Sequence, residues 1–140
     1  MSKNDSEHQM SHFIDRLGDV FKVQIVLYIV SFIWKVLINL YYKGSNDSAR
    51  AFAEEMERSG IAEDIRKEPG NLRYQYFQLL NDPETVLLID SWTDQAAIDA
   101  HHASPMMAKL AALREKYDLH MTAERFVSED LGTDDRFIRK

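Results

Sequence analysis

Residues Thr85–Trp92, TVLLIDSW, are apolar at nearly every position, and no other stretch constrains the fold as much. A strand with one solvated face alternates apolar and polar side chains, whereas a continuously apolar strand has both faces covered. Any fold for this chain must therefore bury this strand from two sides. The turn Asn81-Asp82-Pro83-Glu84 precedes it, and before that Asn71–Leu80 alternates Leu72, Tyr74 and Tyr76 against Arg73, Gln75 and Phe77. The short connection predicts an antiparallel hairpin.

Two more strands show the same period. In Lys35–Lys43, Val36, Ile38, Leu40 and Tyr42 share one face, with Leu37, Asn39 and Tyr41 on the other. In Leu119–Val127, Leu119, Met121 and Ala123 oppose His120, Thr122, Glu124 and Phe126. Between the strands the period changes to three and four. Ala49, Phe52, Ala53 and Met56 predict a helix capped by Asp47 or Ser48. Asp94 predicts the cap of a short helix over Gln95–Ala103, and Ser104-Pro105 restarts another with the stripe Met106, Met107, Leu110, Leu113 and Tyr117.

The order is strand, helix, strand, strand, helix, strand. It predicts an α+β, ferredoxin-like split βαβ (βαββαβ) fold: a four-stranded antiparallel sheet with helices on one face. Because the helices leave the other face bare and its strands carry Tyr and Phe, a homodimer is expected to cover it.

Composition removes several function classes. At 140 residues the chain holds one domain with a real core. Its net charge of −6 repels phosphate backbones, so no nucleic-acid partner is expected. With no cysteine there is no disulfide, thiolate nucleophile or cysteine-ligated metal. Phosphate-binding glycine loops and nucleophile elbows are absent from the sequence, so no nucleotide cofactor is expected. His101 and His102 are neighbours, about 100° apart around a helix, where chelation of one ion needs a spacing of three or four. No metal is expected.

Residues 1–34 form an extension with the apolar run Val23–Trp34, ahead of a domain over 35–128 and a charged tail over 129–140 expected to fray. The twelve residues between Lys22 and Lys35 fall short of the roughly 20 a spanning helix needs. Three readings fit the run: a helix packed on the domain or its partner, a membrane-associating anchor, or a dispensable extension. The expected location is the cytoplasm, with membrane association through residues 23–34 left open.

Two motifs carry a family resemblance. Glu68-Pro69-Gly70-Asn71-Leu72-Arg73-Tyr74-Gln75-Tyr76 resembles the EPGxxxYxx start of the second strand in antibiotic biosynthesis monooxygenase (ABM) domains. Ile89-Asp90-Ser91-Trp92, Asp94-Gln95-Ala96-Ala97, Ala100-His101 and Ser104-Pro105-Met106 resemble that family's ExWxSxxAxxxHxxSxH stretch. The chain has Asp90 where many members carry Glu, and Met106 where many carry a second His. The resemblance implies a dimeric α+β barrel and cofactor-independent oxygenation of quinol-type or polycyclic phenolic substrates by O2. Haem-degrading relatives resemble the chain less: their axial His falls near Ala111, and their haem-ruffling Trp near His101.

Under this resemblance His101 occupies the family's recurring His. A neutral imidazole there could take a substrate hydroxyl proton, a task suited to a group titrating near neutrality. Asn39 and Trp92 join it as catalytic candidates, Asn39 to orient substrate or oxygen and Trp92 to wall the pocket. Tyr74, Tyr76, His102, Met106 and Phe126 are the substrate-binding candidates. For each a plainer role in packing or hydrogen bonding competes. Two other functions compete with the oxygenase: a small-molecule binding or sensing dimer without turnover, and an enzyme of this type acting on a small signalling metabolite.

Overall fold

The structure, a computed structural model, describes residues 18, 21–22, 35–129 and 132–139. The chain divides into two compact units, residues 1–33 and 34–140; the second carries the fold. The apolar run Val23–Trp34 lies outside the described residues. Among the described residues no helix is long and apolar enough to cross a membrane.

The elements are β1 (Lys35–Lys43), α1 (Ser48–Arg58), α2 (Ile61–Arg66), β2 (Asn71–Gln78), β3 (Thr85–Trp92), α3 (Gln95–His102), α4 (Met106–Lys116) and β4 (His120–Ser128). The four strands form one antiparallel sheet in the order β2-β3-β1-β4. This is the expected βαββαβ fold. The continuously apolar β3 lies inside the sheet, between β2 and β1, as its composition requires.

Period-two alternation decides which residues meet the helices. Val36, Tyr42, Leu88 and Trp92 form the sheet side of the core, with Phe52, Met56, Ile65, Ile98 and Leu110 from the helices. Phe52 is fully buried on the stripe of α1, its ring 5.0 Å from that of Tyr42 and 6.1 Å from that of Tyr76. Burial of such a side chain contributes about 1.5–3 kcal/mol, and its truncation to alanine costs about 3–5 kcal/mol. The opposite face, with Leu37, Asn39, Leu87 and Ile89, carries no helix among the described residues.

Local chemistry agrees with the sequence at one helix start and departs from it at another. The Asp94 carboxylate accepts from the Ala97 N–H at 2.9 Å and caps α3 as expected. Asp47 makes no such cap on α1: it sits at φ 62°, and its own N–H donates to Glu84 Oε2 at 3.3 Å. After β4, Gly132–Phe137 form a 3-10 helix where the charged composition predicts a frayed end.

Candidate active site

The turn Glu68-Pro69-Gly70 enters β2 and sets the geometry of the site. Thr93 N–H donates to the Gly70 carbonyl at 2.8 Å, tying the turn to the end of β3. Gly70 has φ +86°, and a Cβ there would stand 2.5 Å from Ala97 Cβ and 2.7 Å from Thr93 Oγ1. Only glycine lets this backbone lie against the first turn of α3. Ala97 is about one helical turn before His101, so the same contact brings Glu68 beside the imidazole. Glu68 Oε2 lies 2.6 Å from His101 Nδ1.

His101 is 5% exposed, and its ring lies 5.0 Å from that of Trp92 at an interplanar angle of 34°. A carboxylate on Nδ1 fixes the tautomer with hydrogen on that nitrogen. Nε2 is then the ring nitrogen free to take a proton.

His101 borders a cavity of about 310 Å³ between the sheet and α3–α4. Ile38, Leu40 and Tyr42 of β1 form its floor, continued by Tyr74 and Asp90. Met107, Leu110 and Arg114 come from α4, His102 from the end of α3, and Met121, Ala123 and Arg125 from the edge strand β4. The lining surface is mostly apolar.

Asp90 is the second buried titratable group here, 5% exposed, with Asn71 Nδ2 donating to its Oδ1 at 3.4 Å. Burial pushes its carboxyl up to about 6, against the neighbouring Trp92 indole N–H, the His101 charge and the Asn71 amide, which favour the carboxylate. Among the described residues Trp92 Nε1 itself closes no hydrogen bond of ordinary geometry. Burial likewise raises the Tyr42 phenol to about 12 and holds Tyr74 well above the usual phenol range. These phenols are neutral donors at physiological pH and do not serve as bases. Among the described residues no group of His, Asp and Glu side chains is arranged to hold a metal ion.

The structure brings some of the sequence candidates together and separates others. His101, His102 and Tyr74 line the cavity. Trp92 is fully buried behind His101 and supports it from below without lining the space. Tyr76 lies outside the lining, its hydroxyl 3.3 Å from that of Tyr74. Met106 packs on the core while its neighbour Met107 takes the place on the cavity wall.

Asn39 and Phe126 are corrections. Asn39 pairs with Ile89 and Glu124, and Phe126 with Leu37, all on the face away from the helices. Phe126 is 46% exposed, and among the described residues the buried Asn39 Oδ1 meets no hydrogen-bond partner. The alternation in Lys35–Lys43 already set Asn39 opposite Ile38 and Leu40, so strand parity was the available signal. Glu68, Asp90, Tyr42, Met107, Arg114 and Arg125 were not among the site candidates read from the sequence. Glu68 stood in the EPG triplet and Asp90 one pleat from Trp92, but nothing local revealed their burial beside His101.

No curated protein matches the chain in sequence. Several solved structures share its fold. A candidate antibiotic biosynthesis monooxygenase from Deinococcus radiodurans is 19% identical, with a TM-score of 0.60 over 68% of this chain and 93% of that one. Another from Caulobacter crescentus is 16% identical, with a TM-score of 0.60 over 72% and 95%. SnoaB, a cofactor-independent oxygenase from Streptomyces nogalater, is 20% identical, with a TM-score of 0.52 over 69% and 93%. The family model described as antibiotic biosynthesis monooxygenase matches residues 36–113, more than half of the sequence. The chain belongs to the antibiotic biosynthesis monooxygenase family.

Proposed function

We propose that the protein is a cofactor-independent monooxygenase for quinol-type or polycyclic phenolic molecules, with His101 as the base. One observation carries the reading: a buried imidazole, fixed by Glu68 at 2.6 Å, faces an apolar cavity of about 310 Å³. That volume suits a flat ring system, and apolar walls favour its burial.

His101 Nε2 takes the proton of a substrate hydroxyl, and the Nδ1–H bond to Glu68 stabilises the imidazolium that forms. Asp90 and Tyr74 stand on the adjoining floor as hydrogen-bond partners for substrate oxygens. The phenolate is electron-rich enough to reduce O2 directly, forming a C–O bond at an unsubstituted ring carbon ortho or para to the oxygen. Loss of that carbon's hydrogen and cleavage of the O–O bond leave a quinone and one water. Phenol plus O2 gives quinone plus H2O, so the substrate supplies all the electrons. The protein contributes deprotonation, placement and exclusion of water from the peroxide.

The same reading includes a homodimer. Its support is the sheet face that carries no helix among the described residues, where Leu37, Leu87 and Ile89 are only half buried.

Oxygen uptake with a panel of quinols and polycyclic phenols, for wild type and His101→Ala, tests the enzyme. The expected result is uptake by wild type with quinone as product and loss of it in the variant. Equal rates from both proteins, or no uptake above the uncatalysed rate with any substrate, overturn it.

A further inference from the structure

The proposed reaction moves two protons: that of the substrate hydroxyl and that of the ring carbon which receives oxygen. His101 takes the first, and the second needs an acceptor of its own. Of the other titratable side chains lining the cavity, Tyr42 and Tyr74 are phenols raised far above neutrality by burial, and Arg114 and Arg125 are cations that accept no proton. His102 is exposed at the end of α3. Asp90 is the buried carboxyl group of the lining.

Local construction sets Asp90 on the same side of the cavity as His101. Asp90 and Trp92 share one face of β3, two residues apart, and the Trp92 ring lies 5.0 Å from that of His101. The His101 charge and the Trp92 indole N–H both act on the Asp90 carboxylate. The turn Glu68-Pro69-Gly70-Asn71 then supplies one polar side chain to each group. Glu68 Oε2 meets His101 Nδ1 at 2.6 Å, and Asn71 Nδ2 donates to Asp90 Oδ1 at 3.4 Å. The Asn71 N–H donates to the Glu68 carbonyl at 3.1 Å and closes the turn. One four-residue turn thus holds both the imidazole and the carboxylate.

We propose that Asp90 is a second catalytic residue, the base that removes the ring hydrogen after oxygen has added. The inference rests on the reading of this cavity as an oxygenase site. Once the substrate carbon has bonded to O2, the His101 imidazolium returns its proton to the terminal peroxide oxygen. The Asp90 carboxylate takes the hydrogen of that same carbon as a proton. The C–H electron pair becomes the second bond of the new carbonyl, the O–O bond breaks, and hydroxide leaves. Asp90 gives its proton to the hydroxide, forming water, and both residues end as they began. A carboxylate raised by burial to about 6 accepts a proton more readily than an ordinary one and is still ionised at neutral pH.

Oxygen uptake with 1-naphthol, and with 1-naphthol deuterated at the ring carbons ortho and para to its hydroxyl, tests this on the full-length wild type, Asp90→Asn and Asp90→Glu. Asp90→Asn is expected to lower kcat by about 10²-fold with KM little changed. Its deuterium isotope effect on kcat should exceed that of wild type, because loss of the ring hydrogen becomes the slow step. Asp90→Glu keeps a carboxylate and should recover much of the rate and the wild-type isotope effect. Undiminished kcat in Asp90→Asn, or a lowered kcat with an isotope effect no larger than that of wild type, overturns the proposal and leaves the His101 chemistry standing. No uptake by wild type above the uncatalysed rate overturns both.

Discussion

Glu68 and His101 are 33 positions apart in sequence, and their side chains meet through one 2.6 Å contact between Oε2 and Nδ1. Glu68 reaches no part of the cavity lining, so it acts on substrate only through the imidazole. Under the proposed function it is a positioning residue. Replacing His101 with alanine is expected to lower kcat by about 10²–10⁴, the usual worth of a general base. Glu68→Gln should lower kcat by about ten- to a hundredfold with KM unmoved, because a loosened base misplaces the proton transfer and leaves the cavity walls in place. Glu68→Asp should recover part of the loss. Steady-state oxygen uptake separates the two constants; a rise in KM at unchanged kcat would assign Glu68 to binding.

Gly70 shows how closely the turn and α3 approach. With φ +86° and Ala97 Cβ 2.5 Å from any added methyl, Gly70→Ala combines backbone strain with overpacking. The expected loss is about 2–4 kcal/mol. Gly60 has a similar φ of +81° but open space around it, so Gly60→Ala should cost only the strain, about 1–2 kcal/mol. Urea unfolding of both variants gives the comparison, and equal losses would show that the Ala97 contact yields.

Asp90 predicts a pH dependence of stability with a definite sign. Its carboxyl is raised by burial to about 6 from an ordinary 3.8, so between those values the folded chain binds more protons than the unfolded one. Stability from this group is full below pH 4 and is lost as pH rises through about 6. The span is on the order of 2–3 kcal/mol. Asp90→Asn, neutral at every pH, should gain on wild type as pH rises from 4 to 7. Urea midpoints at several pH values measure that difference; a constant gap would show that Asp90 does not titrate in this range.

The sheet face that carries no helix among the described residues yields a separable result. Asn39 lies on it opposite Glu124, and Tyr41 on the same strand donates to Glu124 Oε2 at 3.0 Å. Asn39→Asp adds a second carboxylate there. Sedimentation should show self-association at least about tenfold weaker, since a buried unpaired charge is costly at an interface. Turnover per protomer should stay unchanged, because the cavity lies on the other side of the sheet. Loss of kcat with association intact would return Asn39 to the chemistry.

Period and turn chemistry by themselves determined the four strands, the helices between them and the order that makes the fold. The hydrophobic period of each segment follows from the geometry of its own backbone, which is local information. Alternation even carried the information that Asn39 and Phe126 point away from Ile38 and Ala123, once the side holding the helices is known. Only the tertiary structure decided that side, and with it the pairing of Glu68 with His101, the burial of Asp90 and the choice of Met107 over Met106. Each of these depends on segments brought together by strand pairing and by the Gly70–Ala97 contact. Burial and electrostatic partners belong to the packed assembly of elements, so no local pattern encodes them.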